Sequence, residues 1–332
     1  MIICDAHLDL AYNAVRGRDV VLPAAQQRPD DQGIPSVGLP DLRDGGVGLV
    51  CATIFCQPCI EAEKIPGYRT AQEARLAALA QLAWYQRQIR EERLQFVKFP
   101  CDLGLPLRDP LRAILLMEGA DALQSPDDLP EWFDAGLRIV GLAWRQTGYA
   151  GGTKAPGPLS ARGVEMVKAL DAAGLIHDIS HMAEEAFWQL MEKSGGTVMA
   201  SHSNCQALVP GDRQLSDAMI KAIVARGGMI GINFYHRFLM PPEEFGKRRA
   251  TLADVIRHVR HICDLAGDAR HVGLGTDMDG GLGREQIPVE IESSADLPKV
   301  ADALLAAGFV REDVEGIMGR NWTRFFARNL KP

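Results

Sequence analysis

Short apolar runs alternate along this chain with amphipathic stretches, and polar turns separate the two. The runs are Ile2–Cys4, Val47–Phe55, Ala113–Met117, Leu137–Ala143, Ile176–Ile179, Thr197–Ala200, Met229–Phe234 and Val272–Gly275. Between them, helical periodicity covers Thr70–Arg90, Gly163–Ala173, Glu184–Lys193, Asp217–Arg226 and Leu252–Leu265. Short buried strands alternating with helices predict a parallel sheet. Eight runs suit an α/β, TIM-type (β/α)8 barrel with some distortion, although a doubly wound open sheet fits nearly as well on pattern alone. Val20–Pro40 is rich in Pro, Gln and Asp and predicts a long loop after the first strand. Leu297–Leu330 predicts two or three extra C-terminal helices packing on the outside.

Polar residues fall at a recurring place in this pattern. His7 and Asp9 follow the first run, Glu118 the third, His181 the fifth, His202 the sixth and Asp277 the eighth. In a barrel the strand ends converge on one face, where the connecting loops build active sites. Length alone would allow two domains of roughly 150 residues each. Contributors spread from His7 to Asp277 argue instead for one barrel domain over 1–332.

Composition narrows the partners. Lys and Arg number 36 against 43 Asp and Glu, a net charge of −7, with 47% hydrophobic and 24% charged residues. That balance argues against a nucleic-acid partner, and the apolar content argues against disorder. A chain of 332 residues can bury a full core without a structural metal, so a metal here would serve chemistry. No stretch approaches 18 uninterrupted apolar residues, so no membrane span is expected. The N-terminus, MIICDAHLDL, lacks the basic and apolar regions of a signal peptide. The seven cysteines are irregularly spaced and odd in number, which fits reduced thiols in a cytoplasm. Cys56-Gln57-Pro58-Cys59 has no second C-x-x-C to complete a zinc site.

The motifs have bland and chemical readings. His7 and Asp9 share one side of an extended segment and could grip a divalent metal, yet H-x-D is common by chance. Glu118, closing Leu115-Leu116-Met117, reads either as a solvated loop carboxylate or as a bridge between two metals. One Ser-His strand end is ordinarily a satisfied core imidazole. Two in consecutive units, at His181 and His202, point to a site. His177 stays outside it. The segment Gly273–Gly280 resembles phosphate and calcium loops but completes neither, so Asp277 reads better as a carboxylate beside metals. Three histidines and three carboxylates suit two divalent ions, Zn²⁺ first, with Mn²⁺ or Fe²⁺ as alternatives. A shared carboxylate would let the ions sit about 3.5–4 Å apart and bring a bridging water's pKa towards about 7.

With these residues assembled, the chain resembles the renal (membrane) dipeptidase family of the amidohydrolase superfamily from Asp5 to about Phe326. The matching pieces are D-A-H-L-D, M-E-G, D-I-S-H, S-H-S and G-T-D-M-D-G, in order, with G-R-N-W-T-R-F-F near the C-terminus. The resemblance implies that His7 and Asp9 hold one metal, Glu118 bridges, and His181 and His202 hold the second. It implies that a metal-bridging hydroxide attacks the peptide bond while Asp277 moves protons, ending with protonation of the leaving amine. Arg213 would grip the substrate carboxylate through two parallel hydrogen bonds, a surface salt bridge being its bland reading. Tyr235 would line the pocket. The implied activity is a zinc-dependent dipeptidase acting on small dipeptides, with a D-residue accepted on the C-terminal side; a homodimer is a further expectation. One departure stands out. After the fourth strand the family usually shows Thr-His, the histidine lying near the developing oxyanion, where this chain has Leu142-Ala143-Trp144-Arg145. The indole of Trp144 is only a donor and never charged, which leaves Arg145 as the candidate for positive charge. Two rivals follow: a metal-dependent amidase, lactamase or lactonase on another small carboxylated molecule, and a non-catalytic metal- or ligand-binding protein.

Overall fold

The eight apolar runs become eight parallel strands of a closed barrel. The computed structural model describes residues 1–104 and 110–331. Its barrel strands are β1 (Ile3–Leu8), β2 (Val47–Phe55), β3 (Leu111–Glu118), β4 (Leu137–Gly141), β5 (Ile176–Asp178), β6 (Val198–Ala200), β7 (Met229–Ile232) and β8 (Val272–Leu274). Each pairs with its successor, and β8 returns to β1 where Asp5 lies against Leu274. That last pairing decides between the barrel and the open sheet. A short strand at Leu94–Phe96 adds to the start of β3, and Ala150–Gly152 with Ala155–Leu159 form a hairpin after β4.

The helices begin where the sequence supplies caps. The hydroxyls of Thr70, Ser160 and Ser216 accept from the backbone N–H of Glu73, Gly163 and Met219, starting helices at Ala71, Ala161 and Asp217. Apolar stripes of Ala71–Arg90, Ala161–Ala173, Glu184–Lys193, Asp217–Ala225 and Leu252–Ala266 pack on the outward faces of the strands.

β1 is longer than its apolar run because two of its residues are polar for local reasons. Asp5 accepts from the Thr276 N–H (2.8 Å) and hydroxyl (2.5 Å), and His7 belongs to the cluster described below. The inward-facing residues Cys4, Leu49, Ile114, Ile139, Ile176, Met199 and Met229 form a second core inside the barrel. Its N-terminal end is closed by Trp322, Phe325 and Phe326 of the helix Asn321–Asn329. The Trp322 indole donates to the Leu274 carbonyl at 2.9 Å. This helix therefore plugs the barrel rather than lying outside it, because three aromatic faces meet strand ends that have no other cover. On one side the barrel is tight: a Cβ on Gly231 or Gly275 would fall 1.9 or 1.8 Å from the Ser201 carbonyl oxygen.

The segment Val20–Pro40 is largely irregular, with one short turn at Ala24–Gln26. Asp279 pins it: its carboxylate accepts from the N–H and hydroxyl of Ser36 and the N–H of Val37, and lies 3.3 Å from Arg18. Among the described residues, no helix is long and apolar enough to cross a membrane.

Candidate metal centre and substrate pocket

Glu118 is the last residue of β3 and shares the inward parity of Ile114 and Leu116. Alternation along the strand thus aims its carboxylate into the mouth of the barrel. There it meets three imidazoles. Oε2 lies 3.5 Å from His7 Nε2, while Oε1 lies 3.0 Å from His181 Nε2 and 3.4 Å from His202 Nε2. Asp9 Oδ2 approaches His7 Nε2 at 4.0 Å. Candidate ligand atoms group as His7, Asp9 and Glu118; as Glu118, His181 and His202; and as His7, His202 and Asp277, each set within 4.8 Å. Glu118 is common to the first two sets. The five residues expected to hold metal, and Asp277, are brought together.

Electrostatics shows that a cation fits. Burial pushes the Asp9 carboxyl up to about 6 and that of Asp277 up to about 8, and neighbouring carboxylates add to both. Burial disfavours charge on His7, yet Glu118, Asp9 and Asp277 outweigh it and raise His7 to about 10. Burial lowers His181 to about 4, helped by Arg213, and holds His202 well below the usual imidazole range. Three buried carboxyl groups thus crowd against three histidines; His181 and His202 stay neutral, the ligand form, while His7 holds a proton whose place a metal cation could take. His7 Nε2 and Glu118 Oε1 are buried with no hydrogen bond among the described residues.

The surrounding polar residues aim the imidazoles. Ser201 Oγ donates to Asp178 Oδ2 at 2.6 Å and lies 3.0 Å from His7 Nδ1 and 2.7 Å from His202 Nδ1. A serine hydroxyl has one hydrogen and two lone pairs. With the hydrogen given to Asp178, its oxygen is placed to accept from both Nδ1–H groups, which directs both Nε2 atoms at Glu118 and leaves the His7 Nε2 proton as the one a metal would displace. The hydroxyl of Thr153 sits 3.1 Å from His181 Nδ1, and that of Thr53 contacts Asp9. Asn233 Nδ2 donates to Asp277 Oδ2 at 2.9 Å. His181 and Asp277 have φ of 65° and 58°, a left-handed backbone that costs roughly 1–2 kcal/mol per residue and that this packing holds in place.

Sequence reasoning left Ser201, Asp178, Thr53, Thr153 and Asn233 without roles. Asp178 and Ser201 carried a signal, being polar residues at inward positions in or beside apolar strands. Thr153 did not, since its position depends on the hairpin. His177 turns away to Asp171 (2.6 Å), in keeping with its exclusion. Cys56 and Cys59 are free thiols, and burial pushes the Cys56 thiol up to about 12.

Above the cluster lies a cavity of about 440 Å³ lined by all four expected substrate-binding residues, Arg213, Trp144, Arg145 and Tyr235. Arg213 is buried and clamped, Nη2 donating to the His202 carbonyl (2.6 Å) and Nη1 to Ser203 Oγ (2.9 Å), while its Nε has no hydrogen-bond partner among the described residues. Arg145 pairs with Glu63 at 2.6 Å, and both line the cavity.

Fold and site together define a (β/α)8-barrel protein with a candidate two-metal centre at the C-terminal ends of its strands. The model of the membrane dipeptidase family, peptidase family M19, matches residues 1–330, and the chain belongs to that family. Among solved structures, a dipeptidase AC described as an M19 metallopeptidase is 26% identical, with a TM-score of 0.85 over 99% of each chain. A metallopeptidase from Rhodobacter sphaeroides, bound to a phosphinate mimic of the dipeptide L-Ala-D-Ala, is 26% identical, with a TM-score of 0.83 over 99% of each chain. An uncharacterised protein from the pqqA 5′ region of Klebsiella pneumoniae is 32% identical over 226 residues, 64% of this chain and 80% of that protein. The dipeptidase tcpJ of Claviceps purpurea is 33% identical over 194 residues, 57% of this chain and 44% of that protein. Several curated relatives are longer; the match spans 53% of each of two uncharacterised dipeptidases from Schizosaccharomyces pombe.

Proposed function

We propose that the chain is a dipeptidase with two divalent ions, most suitably Zn²⁺, and that it works as one unit over 1–332. The observation that carries this reading is Glu118, whose two carboxylate oxygens face two separate ligand sets. His7 and Asp9 would hold one ion, His181 and His202 the other, and Glu118 both; nitrogen and oxygen donors of this kind suit zinc. Ions held there would supply an acidified water, its pKa brought towards about 7, and would polarise a carbonyl. The chain's own residues do the rest. Arg213, held rigid by His202 and Ser203, takes the terminal carboxylate of the substrate and places the peptide bond over the cluster. Asp277, steadied by Asn233, accepts the proton of the attacking water and passes it to the departing amine. The L-Ala-D-Ala mimic on the Rhodobacter relative supports dipeptides with a D-residue on the C-terminal side. All seven cysteines are free thiols, in keeping with a reducing cytoplasm.

Metal analysis with an assay of L,L and L,D dipeptides tests this. Close to two ions per chain and hydrolysis after zinc addition are expected; less than one ion per chain together with no hydrolysis refutes it. Trp144 at the family's histidine position favours a second reading, an amidase on another small carboxylated molecule. Inert dipeptides with cleavage of another amide or ester would establish that alternative.

A further inference from the structure

We infer that the pocket selects dipeptides whose N-terminal residue, the one that supplies the scissile carbonyl, carries an aromatic or large apolar side chain. The inference rests on the dipeptidase reading above. Three rings form a continuous wall: Tyr12 meets Phe55 edge-on at 5.1 Å, Phe55 meets Trp144 at 5.2 Å, and Trp144 reaches the ring of His181 at 6.1 Å. The wall is braced, since Phe55 ends β2 and the Tyr12 hydroxyl donates to Gln57 Oε1 at 2.6 Å. Ile65 and Leu282 face the same cavity.

The order of groups across the mouth decides which part of a substrate meets this wall. Trp144 neighbours His181, His181 lies 3.0 Å from His202, and Arg213 is bonded to the His202 carbonyl. Phe55 ends β2 and Arg213 is bonded to His202 just past the end of β6, four strands away in the ring of eight, so the guanidinium and the Phe55 end of the wall face each other across the mouth. A dipeptide with its carboxylate at Arg213 and its amide over the cluster extends its other residue across the mouth towards Phe55 and the Trp144 ring packed beside it. An indole there contributes area and polarisable surface but no charge, and an aromatic partner would be buried against it. Arg145, which lines the same cavity, is paired with Glu63 there.

The test uses the zinc-loaded full chain with L-Phe-Ala and Gly-Ala, each with L- and D-Ala. The kcat/KM for Phe-Ala is expected to exceed that for Gly-Ala by at least about tenfold, equivalent to about 1.4 kcal/mol. Trp144→Ala should cut that ratio by at least about fivefold and Trp144→Phe should preserve it, the ring being the active feature. Calorimetric titration with reduced-bond, non-hydrolysable analogues of Phe-Ala and Gly-Ala gives a readout without turnover. If neither dipeptide is cleaved but the Phe-Ala analogue binds at least about tenfold tighter, in a manner dependent on Trp144, the aromatic subsite stands and the dipeptidase reading falls. Equal kcat/KM and equal affinity for the pair, or a ratio indifferent to Trp144→Ala, overturns the inference.

Discussion

Ser201→Ala is a sharp test of how the candidate metal centre is organised. The hydroxyl of Ser201 is the common partner of His7 Nδ1 (3.0 Å), His202 Nδ1 (2.7 Å) and Asp178 Oδ2 (2.6 Å), and Ser201 is fully buried. Removing one oxygen strands two buried Nδ1–H donors and takes a donor from a buried carboxylate. Each stranded buried group costs about 1–3 kcal/mol. Part of that cost is recovered if an imidazole switches tautomer, but the switch puts hydrogen on Nε2, where the metal lone pair is needed. Loss of an outer partner of this kind typically weakens metal affinity by about 10–100-fold. Competition with a chromogenic chelator measures the affinity, and thermal melting of the metal-free protein separates it from general destabilisation. Zinc affinity within about twofold of the parent, in a variant that melts normally, would refute the tautomer argument.

Four other outcomes follow from the same structure. Arg213→Lys replaces a clamped fork with a point charge, so KM for a dipeptide with a free carboxylate should rise by about tenfold or more, while an amidated dipeptide responds less. A Cβ on Gly280 would lie 1.9 Å from Asp277 Oδ1, so Gly280→Ala should displace that carboxylate and lower kcat by at least about tenfold, with bound zinc retained by metal analysis. Trp322→Ala, at a fully buried residue closing the barrel, should cost about 3–5 kcal/mol in urea unfolding. His258 is fully buried, accepts from the Cys205 N–H, faces the Leu239 carbonyl and is lowered by burial to about 4. Its folded pKa lies below the unfolded one, so the unfolded chain binds the extra proton between those values. Stability should therefore fall by about 2 kcal/mol from pH 7 to pH 5, and His258→Gln should flatten that slope.

The apolar runs located every barrel strand, and β2 coincides with its run from Val47 to Phe55. β1 was underestimated because a strand that supplies the site carries Asp5 and His7 where a core strand would carry apolar residues. The final helix was misplaced for a related reason. Its aromatic face is plain in the sequence, but nothing local says whether such a face covers the outside of a barrel or closes its end. Arg145 shows the same limit: its charge is visible, whereas its capture by Glu63, 82 residues away, is not.

By itself, the sequence determined the alternation of strand and helix, the residue types at the strand ends and the family motifs, because each is written in local periodicity and spacing. Tertiary structure alone decided closure of β8 on β1, the two ligand sets meeting at Glu118, and the hydroxyl of Ser201 between two imidazoles. It also placed Phe55 and Arg213 at the ends of strands half a barrel apart. Those features depend on distances between residues far apart in the chain, and barrel closure is what brings them together.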